Sequence, residues 1–99
     1  MIALLRGVML HRQGNACVID VNGVGYAVLA PSSCLDDWSD EEEIVVQIST
    51  QVREDAINLF GFSSVEQRTA FQVLLGVSGV GPKLALSALD ALGLSLIHI

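Results

Sequence analysis

In the segment EIVVQISTQVR, residues 43–53, apolar and polar side chains alternate along the chain. A period of two over about ten residues predicts a strand with one buried face and one exposed face. Such a strand has to join a sheet that covers its apolar face. The face predicted to be buried carries Ile44, Val46, Ile48, Thr50 and Val52, and the opposite face carries Gln47, Ser49, Gln51 and Arg53.

Four more apolar runs in the first two thirds of the chain are typical of strands. They cover residues 2–11, 16–21, 24–30 and 56–62. Asn22-Gly23 separates two of them, and this dipeptide between apolar runs predicts a β-hairpin. Five short strands in succession favour a closed barrel over an open sheet, because closure removes the unpaired edges. The strand count fits a barrel of the oligonucleotide-binding (OB) type.

The last third of the chain has a helical pattern. Ser63 and Glu66 have the spacing of a capping box, which predicts the start of a first helix. Phe71 follows within its apolar pattern. A second helix is expected to begin at Pro82, since proline suits the first helical position, and to end at Gly93. The predicted fold class is therefore α+β, with the strands first and the helices after them.

The second predicted helix is apolar over most of its surface. Its polar residues Lys83, Ser87 and Asp90 form one narrow stripe, and the remaining positions up to Leu92 after Pro82 are leucine or alanine. A helix of this kind needs neighbours on several sides, and the first helix alone cannot cover it. We expect the missing cover to come from a further segment or from another subunit.

The negative charge of the chain is concentrated in one place. Six acidic residues account for the whole formal net charge of −6. A solvated acidic loop is the simplest interpretation, and such a loop would also mark a face turned away from DNA. The six residues are Asp36, Asp37, Asp40, Glu41, Glu42 and Glu43.

The two cysteines, Cys17 and Cys34, lack the spacing of a metal site. With no secretory segment at the N-terminus, they are expected to be buried thiols of a cytoplasmic, soluble protein without membrane contact. No catalytic set of serine, histidine and aspartate, or of cysteine and histidine, can be assembled. No catalytic residue, metal or other cofactor is therefore predicted.

The glycine-rich segment LGVSGVGPKLAL, residues 75–86, is a candidate phosphate-binding site, because glycine-rich turns ahead of a helix often bind phosphate. A nucleotide-binding loop of the Walker type needs a lysine directly after its last glycine and then a serine or threonine. Here Pro82 separates Gly81 from Lys83, and Leu84 occupies the position of the hydroxyl residue. The dinucleotide-binding fingerprint also fails, because no βαβ unit surrounds the segment.

Two interpretations of this glycine turn remain open from the residues alone. In the first, the glycines only allow a tight connection between two packed helices. In the second, the amides of Gly79, Val80 and Gly81 bind a phosphate at the positive end of the second helix dipole, with Lys83 adding a charge. Such a contact would not depend on DNA sequence, and a single one would be weak.

Three motifs in order make the chain similar to a known family. They are VNGVGY at 21–26, VREDAINLFGF at 52–62, and GVSGVGPKLALSAL, which resembles a helix-hairpin-helix motif. Together they resemble RuvA, the family of Holliday-junction-binding subunits of the bacterial branch-migration complex. The resemblance implies an OB-fold barrel domain at residues 1–62. At residues 63–99 it implies the first helix-hairpin-helix of an incomplete helical domain, lacking the second hairpin and the C-terminal motor-binding domain.

The same resemblance implies function and partners. The expected function is structure-selective binding of four-way DNA junctions in recombination and repair, by a homotetramer. The expected partners are four-way junction DNA, a RuvB-type motor ATPase that hydrolyses ATP, and a RuvC-type resolvase. The alternative is an assembly module that oligomerises but binds DNA weakly because the chain is truncated.

Glu54 and Asp55 fall between the fourth and fifth predicted strands. Taken alone, they indicate an ordinary charged turn. By resemblance, they match the acidic pin of RuvA, whose carboxylates repel phosphates at the centre of the junction and so favour one DNA shape. Arg53 beside them is expected either to offset the repulsion between these carboxylates in the tetramer or to contact a DNA phosphate.

Overall fold

The computed structural model of the chain describes residues 1–40 and 42–92. Within these residues, five strands and three helices follow one another along the chain. They are β1 (Leu4–Gln13), β2 (Ala16–Val21), β3 (Val24–Leu29), α1 (Ser32–Trp38), β4 (Ile44–Val52), β5 (Ile57–Phe62), α2 (Val65–Leu75) and α3 (Pro82–Leu92).

The five strands form a closed barrel in the order β1-β2-β3-β5-β4. Most neighbours are antiparallel, and β3 and β5 are parallel, with Val28 opposite Leu59. Closure is completed by β1 and β4, where Leu5 lies opposite Val46. The predicted α+β fold, an OB-fold barrel followed by helices, is confirmed. The strand bounds differ from the predicted ones by a few residues at most.

The turn between β2 and β3 has the geometry that its sequence predicts. Asn22 and Gly23 have φ angles of 51° and 91°. Positive φ at both central residues is the requirement of a type I′ turn, which matches the twist of the two strands. The Gly23 amide also donates a hydrogen bond of 2.8 Å to Oδ1 of Asp20. The predicted hairpin is confirmed.

Strand β4 follows its predicted alternation over most of its length. Ile44, Val46 and Ile48 are buried in the barrel core. In the second half of the strand the prediction is wrong at two positions: Ser49, predicted on the exposed face, is 2% exposed, and Val52, predicted on the buried face, is 68% exposed. Val52 pairs with Ile57, which is equally exposed, so this end of the β4–β5 ladder projects beyond the core.

Helix α1 occupies part of the segment that was expected to be a solvated acidic loop. Its Leu35 and Trp38 side chains are buried and belong to the barrel core, as does Cys34. Asp36 and Asp37 are exposed on the same helix. The loop prediction is therefore wrong for these two aspartates, since the buried residues beside them hold the segment against the barrel.

Helix α2 begins one residue later than predicted. Its capping box is formed by Ser64 and Gln67, and not by Ser63 and Glu66. The backbone amide of Gln67 donates to Oγ of Ser64 at 3.2 Å, and the side-chain Oε1 of Gln67 accepts from the backbone amide of Ser64 at 3.0 Å. Both pairs have the spacing of the motif, but Gln67 is buried whereas Glu66 is exposed, so packing selects the second pair.

Helix α3 begins at Pro82 as predicted, and the predicted stop at Gly93 lies outside the described residues. A second core joins α3 and α2 to the barrel. In it, the Phe71 ring centroid lies 5.0 Å from those of Phe60 and Phe62, two residues of β5. Buried residues of α3 complete the cluster: Ala85, Leu86 and Leu89.

Strand β5 thus supplies part of the cover that α3 needs. Leu84 on the same helix is still 55% exposed. No helix among the described residues is both long enough and apolar enough to cross a lipid bilayer.

Candidate nucleic-acid interface

The connection between α2 and α3 is a tight turn. The Val80 amide donates to the Val77 carbonyl at 3.1 Å, and between them Gly79 has a φ of +85°. A positive φ at the third residue of a four-residue turn defines type II, which requires glycine at that position. The conformation of the chain therefore accounts for Gly79.

Gly81 has no comparable structural explanation. Its carbonyl accepts the first helical hydrogen bond of α3, from the Ala85 amide at 3.0 Å, which makes it the residue that precedes the helix. Its φ lies outside the left-handed region. A Cβ placed on Gly81 would meet no atom within 4 Å. The fold would accept a side chain here, and the space in front of this backbone is open.

The N-terminus of α3 presents free donors at the same place. The first amides of a helix have no partner within that helix, and Pro82 lacks an N–H, so the amides of Gly81, Lys83 and Leu84 remain. The positive end of the helix dipole adds to their attraction for an anion. The Val80 amide does not belong to this group, because it donates within the turn, and its side chain packs against the second core.

A groove of about 490 Å³ joins this helix start to the barrel. Arg53 enters it from the end of β4, and Lys83 enters it from the first turn of α3. Both side chains are exposed, and neither forms an ion pair with any described residue. The full lining comprises Leu29, Arg53, Asn58, Phe60, Gly81, Pro82, Lys83 and Leu84.

The groove brings together residues from two separate sequence motifs. Arg53 belongs to the predicted pin segment and Lys83 to the glycine-rich segment, and the structure places both in one groove. Asn58 of β5 lies in the same groove and was missed, because its position in an apolar strand gave no signal. Two cations, an amide side chain and a helix N-terminus form a surface suited to the phosphates of a nucleic acid.

Glu54 and Asp55 lie in the turn between β4 and β5, as predicted. The Arg53 amide donates to the Ala56 carbonyl at 2.8 Å and closes this turn. Both carboxylates are exposed, directly after the arginine that lines the groove. Negative charge therefore borders the candidate phosphate surface at this end.

Comparisons with known proteins identify the family. A family model described as RuvA N terminal domain matches residues 1–61. Proteins called Holliday junction branch migration complex subunit RuvA are similar over most of the chain. That of Geobacter metallireducens is 51% identical over 86% of this chain, and that of Zymomonas mobilis is 48% identical over all of it. The chain belongs to the RuvA family.

The RuvA relatives extend the similarity beyond the barrel. The RuvA protein of Leifsonia xyli, for example, is 48% identical over 93% of this chain. The similarity therefore includes the turn between α2 and α3, which lies after the part matched by the family model. The chain spans less than half the length of these RuvA relatives, from 43% to 47%.

The two cysteines of this RuvA-family chain are free and buried, as predicted. Burial raises the pKa of Cys17 to about 11, opposed in part by the nearby Arg12 charge. Burial likewise raises the pKa of Cys34. Both thiols are therefore protonated at neutral pH and are poor nucleophiles. Among residues 1–40 and 42–92, no three His, Cys, Asp or Glu side chains are grouped so that they could hold a metal ion.

Proposed function

We propose that this chain binds DNA at four-way Holliday junctions, as the non-motor subunit of a branch-migration complex. The observation that carries the proposal is the groove in which Lys83 and the start of α3 face Arg53. Its donors and charges suit backbone phosphates, which are common to all DNA sequences. The names of the RuvA relatives specify the junction as the form of DNA.

In this proposal the Gly79–Gly81 turn and Lys83 hold one phosphate, and Arg53 contacts the same strand or its neighbour. The Val80 amide is occupied within the turn, so Val80 contributes only its packing. Gly81 lets the phosphate approach the helix amides, because its missing side chain leaves that space open. The chain has no catalytic role of its own.

We further propose that Glu54 and Asp55 act as an acidic pin. Four copies in a homotetramer would place their exposed carboxylates around the centre of the junction. Carboxylates close to phosphates repel them, so the pin weakens binding in general while favouring DNA whose strands separate at that point. Arg53 at the edge of this turn would hold a strand beside the pin.

The remaining parts of the proposal concern the assembly. We divide the chain between Phe62 and Ser63 into a barrel domain and the first helix-hairpin-helix of a helical domain. A RuvB-type ATPase would supply the motor and a RuvC-type resolvase would cut the junction, both in the bacterial cytoplasm, where recombination and repair of chromosomal DNA occur.

A salt titration tests the phosphate contact. In the Lys83→Ala variant, we expect junction binding at low salt to weaken about tenfold, because a charge-assisted contact to phosphate is lost. The slope of log K against log salt concentration should fall by about 0.9, the value for one phosphate contact. Binding is measured by fluorescence anisotropy with a labelled four-way junction and a linear duplex.

The matched control is Arg12→Ala, which removes the same charge from a residue already paired with Asp36 at 2.6 Å. It should leave the salt slope unchanged. Equal slopes for the wild type, Lys83→Ala and Arg12→Ala would refute the phosphate contact.

The same measurement distinguishes an alternative function. Several apolar side chains near the turn are exposed, including Val73 and Val77, which is a property of assembly surfaces. If the wild-type chain is oligomeric by light scattering yet binds junction and duplex equally and negligibly, the assembly module is the better description.

The pin is tested by removing its charge. In the Glu54→Gln, Asp55→Asn double variant, we expect tighter duplex binding and a lower ratio of junction to duplex affinity, since the repulsion of phosphates is lost. The control variant, Glu42→Gln with Glu43→Gln, changes the net charge equally at another exposed acidic site. An unchanged affinity ratio in the pin variant would remove the support for this role.

A further inference from the structure

Helix α1 begins without a cap from its own segment. Its N-cap residue is Pro31, and no side-chain hydrogen bond is made from that position. The first amides of a helix need acceptors, and they favour a carboxylate because of the helix dipole. The acceptor here comes from another part of the chain.

Asp90 of α3 provides that acceptor. Its Oδ2 accepts from the Ser32 amide at 3.1 Å, and its Oδ1 accepts from the Ser33 amide at 3.3 Å. The Ser33 hydroxyl donates to the same Oδ1 at 3.5 Å. Asp90 therefore caps a helix that begins 58 residues earlier in the chain.

These contacts connect the phosphate-binding helix to the barrel. Among the described residues, they are the only hydrogen bonds between α3 and residues 1–62. Leu35 and Trp38 fix α1 in the barrel core, so α1 is a rigid support for Asp90. Asp90 and Lys83 also line one small cavity of about 250 Å³ with Asn15 of the barrel, so both lie on the side of α3 that faces the barrel.

We infer that Asp90 is a positioning residue for DNA binding. By clamping α3 to the start of α1, it fixes Gly81 and Lys83 in front of Arg53, so that one groove can hold phosphates from both sides. It does not contact DNA in this role. The inference rests on the proposed function for its effect on binding, whereas the clamp itself is a property of the fold.

The clamp and simple electrostatics predict opposite changes in DNA affinity when Asp90 is removed. Asp90 carries a negative charge on the same face of α3 as Lys83, so its removal would tighten DNA binding if charge alone mattered. If the clamp matters, Asp90→Ala should weaken junction binding about tenfold at every salt concentration. The salt slope should stay at the wild-type value, since no phosphate contact is removed.

A second variant removes the other side of the clamp. Ser32→Pro deletes the amide that donates to Oδ2, at the first position of α1, where proline is favoured. The extended ψ of 148° at Pro31 is compatible with a following proline. Ser32→Ala is its control, because it removes only the hydroxyl that accepts from Asn15. Ser87→Ala, on the same stripe of α3, is the control for Asp90→Ala.

The orientation of α3 is measured independently of DNA. Residual dipolar couplings of the amides in the wild type should fit one alignment tensor for barrel and α3. In Asp90→Ala and in Ser32→Pro, the barrel couplings should still fit, and the α3 couplings should deviate or decrease. In the variant that combines Asp90→Ala with Ser32→Pro, the α3 couplings should deviate no further than in Asp90→Ala alone, because both changes break the same contact.

The outcomes separate the two proposals. If the wild type does not bind the junction, the proposed function fails, and the couplings still decide whether the clamp exists. If Asp90→Ala binds the junction as tightly as the wild type or more tightly, with unchanged α3 couplings, the clamp is refuted. Should Asp90→Ala fail to fold, Ser32→Pro and Asp90→Asn provide the same comparison, and Asp90→Asn should retain part of the binding.

Discussion

Two glycines in the barrel strands, Gly7 and Gly61, differ from Gly81 before α3 in the space around them. A Cβ on Gly7 would lie 2.1 Å from the carbonyl oxygen of Asp20, and a Cβ on Gly61 would lie 2.6 Å from Cγ1 of Val28. A Cβ on Gly81 would meet nothing. Gly7 and Gly61 allow packing of the protein against itself, whereas Gly81 keeps a backbone accessible from outside.

The two regions also differ in how their cores are built. The barrel encloses a core of its own, to which every strand and α1 contribute. The helices α2 and α3 share their core with β5 through the three phenylalanines, Phe60, Phe62 and Phe71. The barrel is thus a support, and the helices are held on its surface with their connecting turn exposed.

The largest expected effect tests the dependence of the helices on the barrel. Phe71→Ala should lower the free energy of unfolding by about 3–5 kcal/mol, because it leaves a cavity between β5 and the helices. Chemical denaturation measures this loss, and hydrogen exchange should show α2 and α3 opening before the barrel. Phe71→Leu, which retains most of the volume, should lose less. A loss below about 1 kcal/mol for Phe71→Ala would contradict a shared core.

The next largest effect on stability is expected at Gly7 of β1. Gly7→Ala should lower the free energy of unfolding by about 2–3 kcal/mol, because the added methyl group can be accommodated only by moving the backbone of β2. The same denaturation experiment on Gly81→Ala provides the comparison. Similar losses in the two variants would remove the distinction between packing glycines and an accessible one.

Much of the fold follows from local patterns. The alternation in β4, the Asn22-Gly23 turn and the proline at the start of α3 each determine local geometry through a short-range rule, and all three are present in the structure. The capping box of α2 was misplaced by one residue because two overlapping pairs fit the motif. Only the burial of Gln67 distinguishes them, and burial depends on the tertiary fold.

Helix α1 could not be predicted for a related reason. Its segment offers a proline in place of a capping side chain, and it is rich in aspartate. The cap comes from Asp90, far along the chain, so no local window contains the signal. The groove is equally non-local, because the packing of α3 against β5 brings Arg53 and Asn58 to the start of α3. The glycine turn indicated a phosphate site from sequence, but not the barrel residues that face it.

The central claim is that glycine at position 81 is required by the approach of a ligand to the backbone, and not by the fold. It is tested most directly by junction binding and stability of Gly81→Ala, measured on the same sample. We expect the free energy of unfolding to fall by about 1 kcal/mol or less, since alanine is a poorer helix cap than glycine. We expect junction binding to weaken about tenfold, because the methyl group occupies the approach to the α3 amides. Gly14→Ala, at an exposed turn of the barrel, should leave binding unchanged. Wild-type junction affinity in Gly81→Ala would contradict the claim.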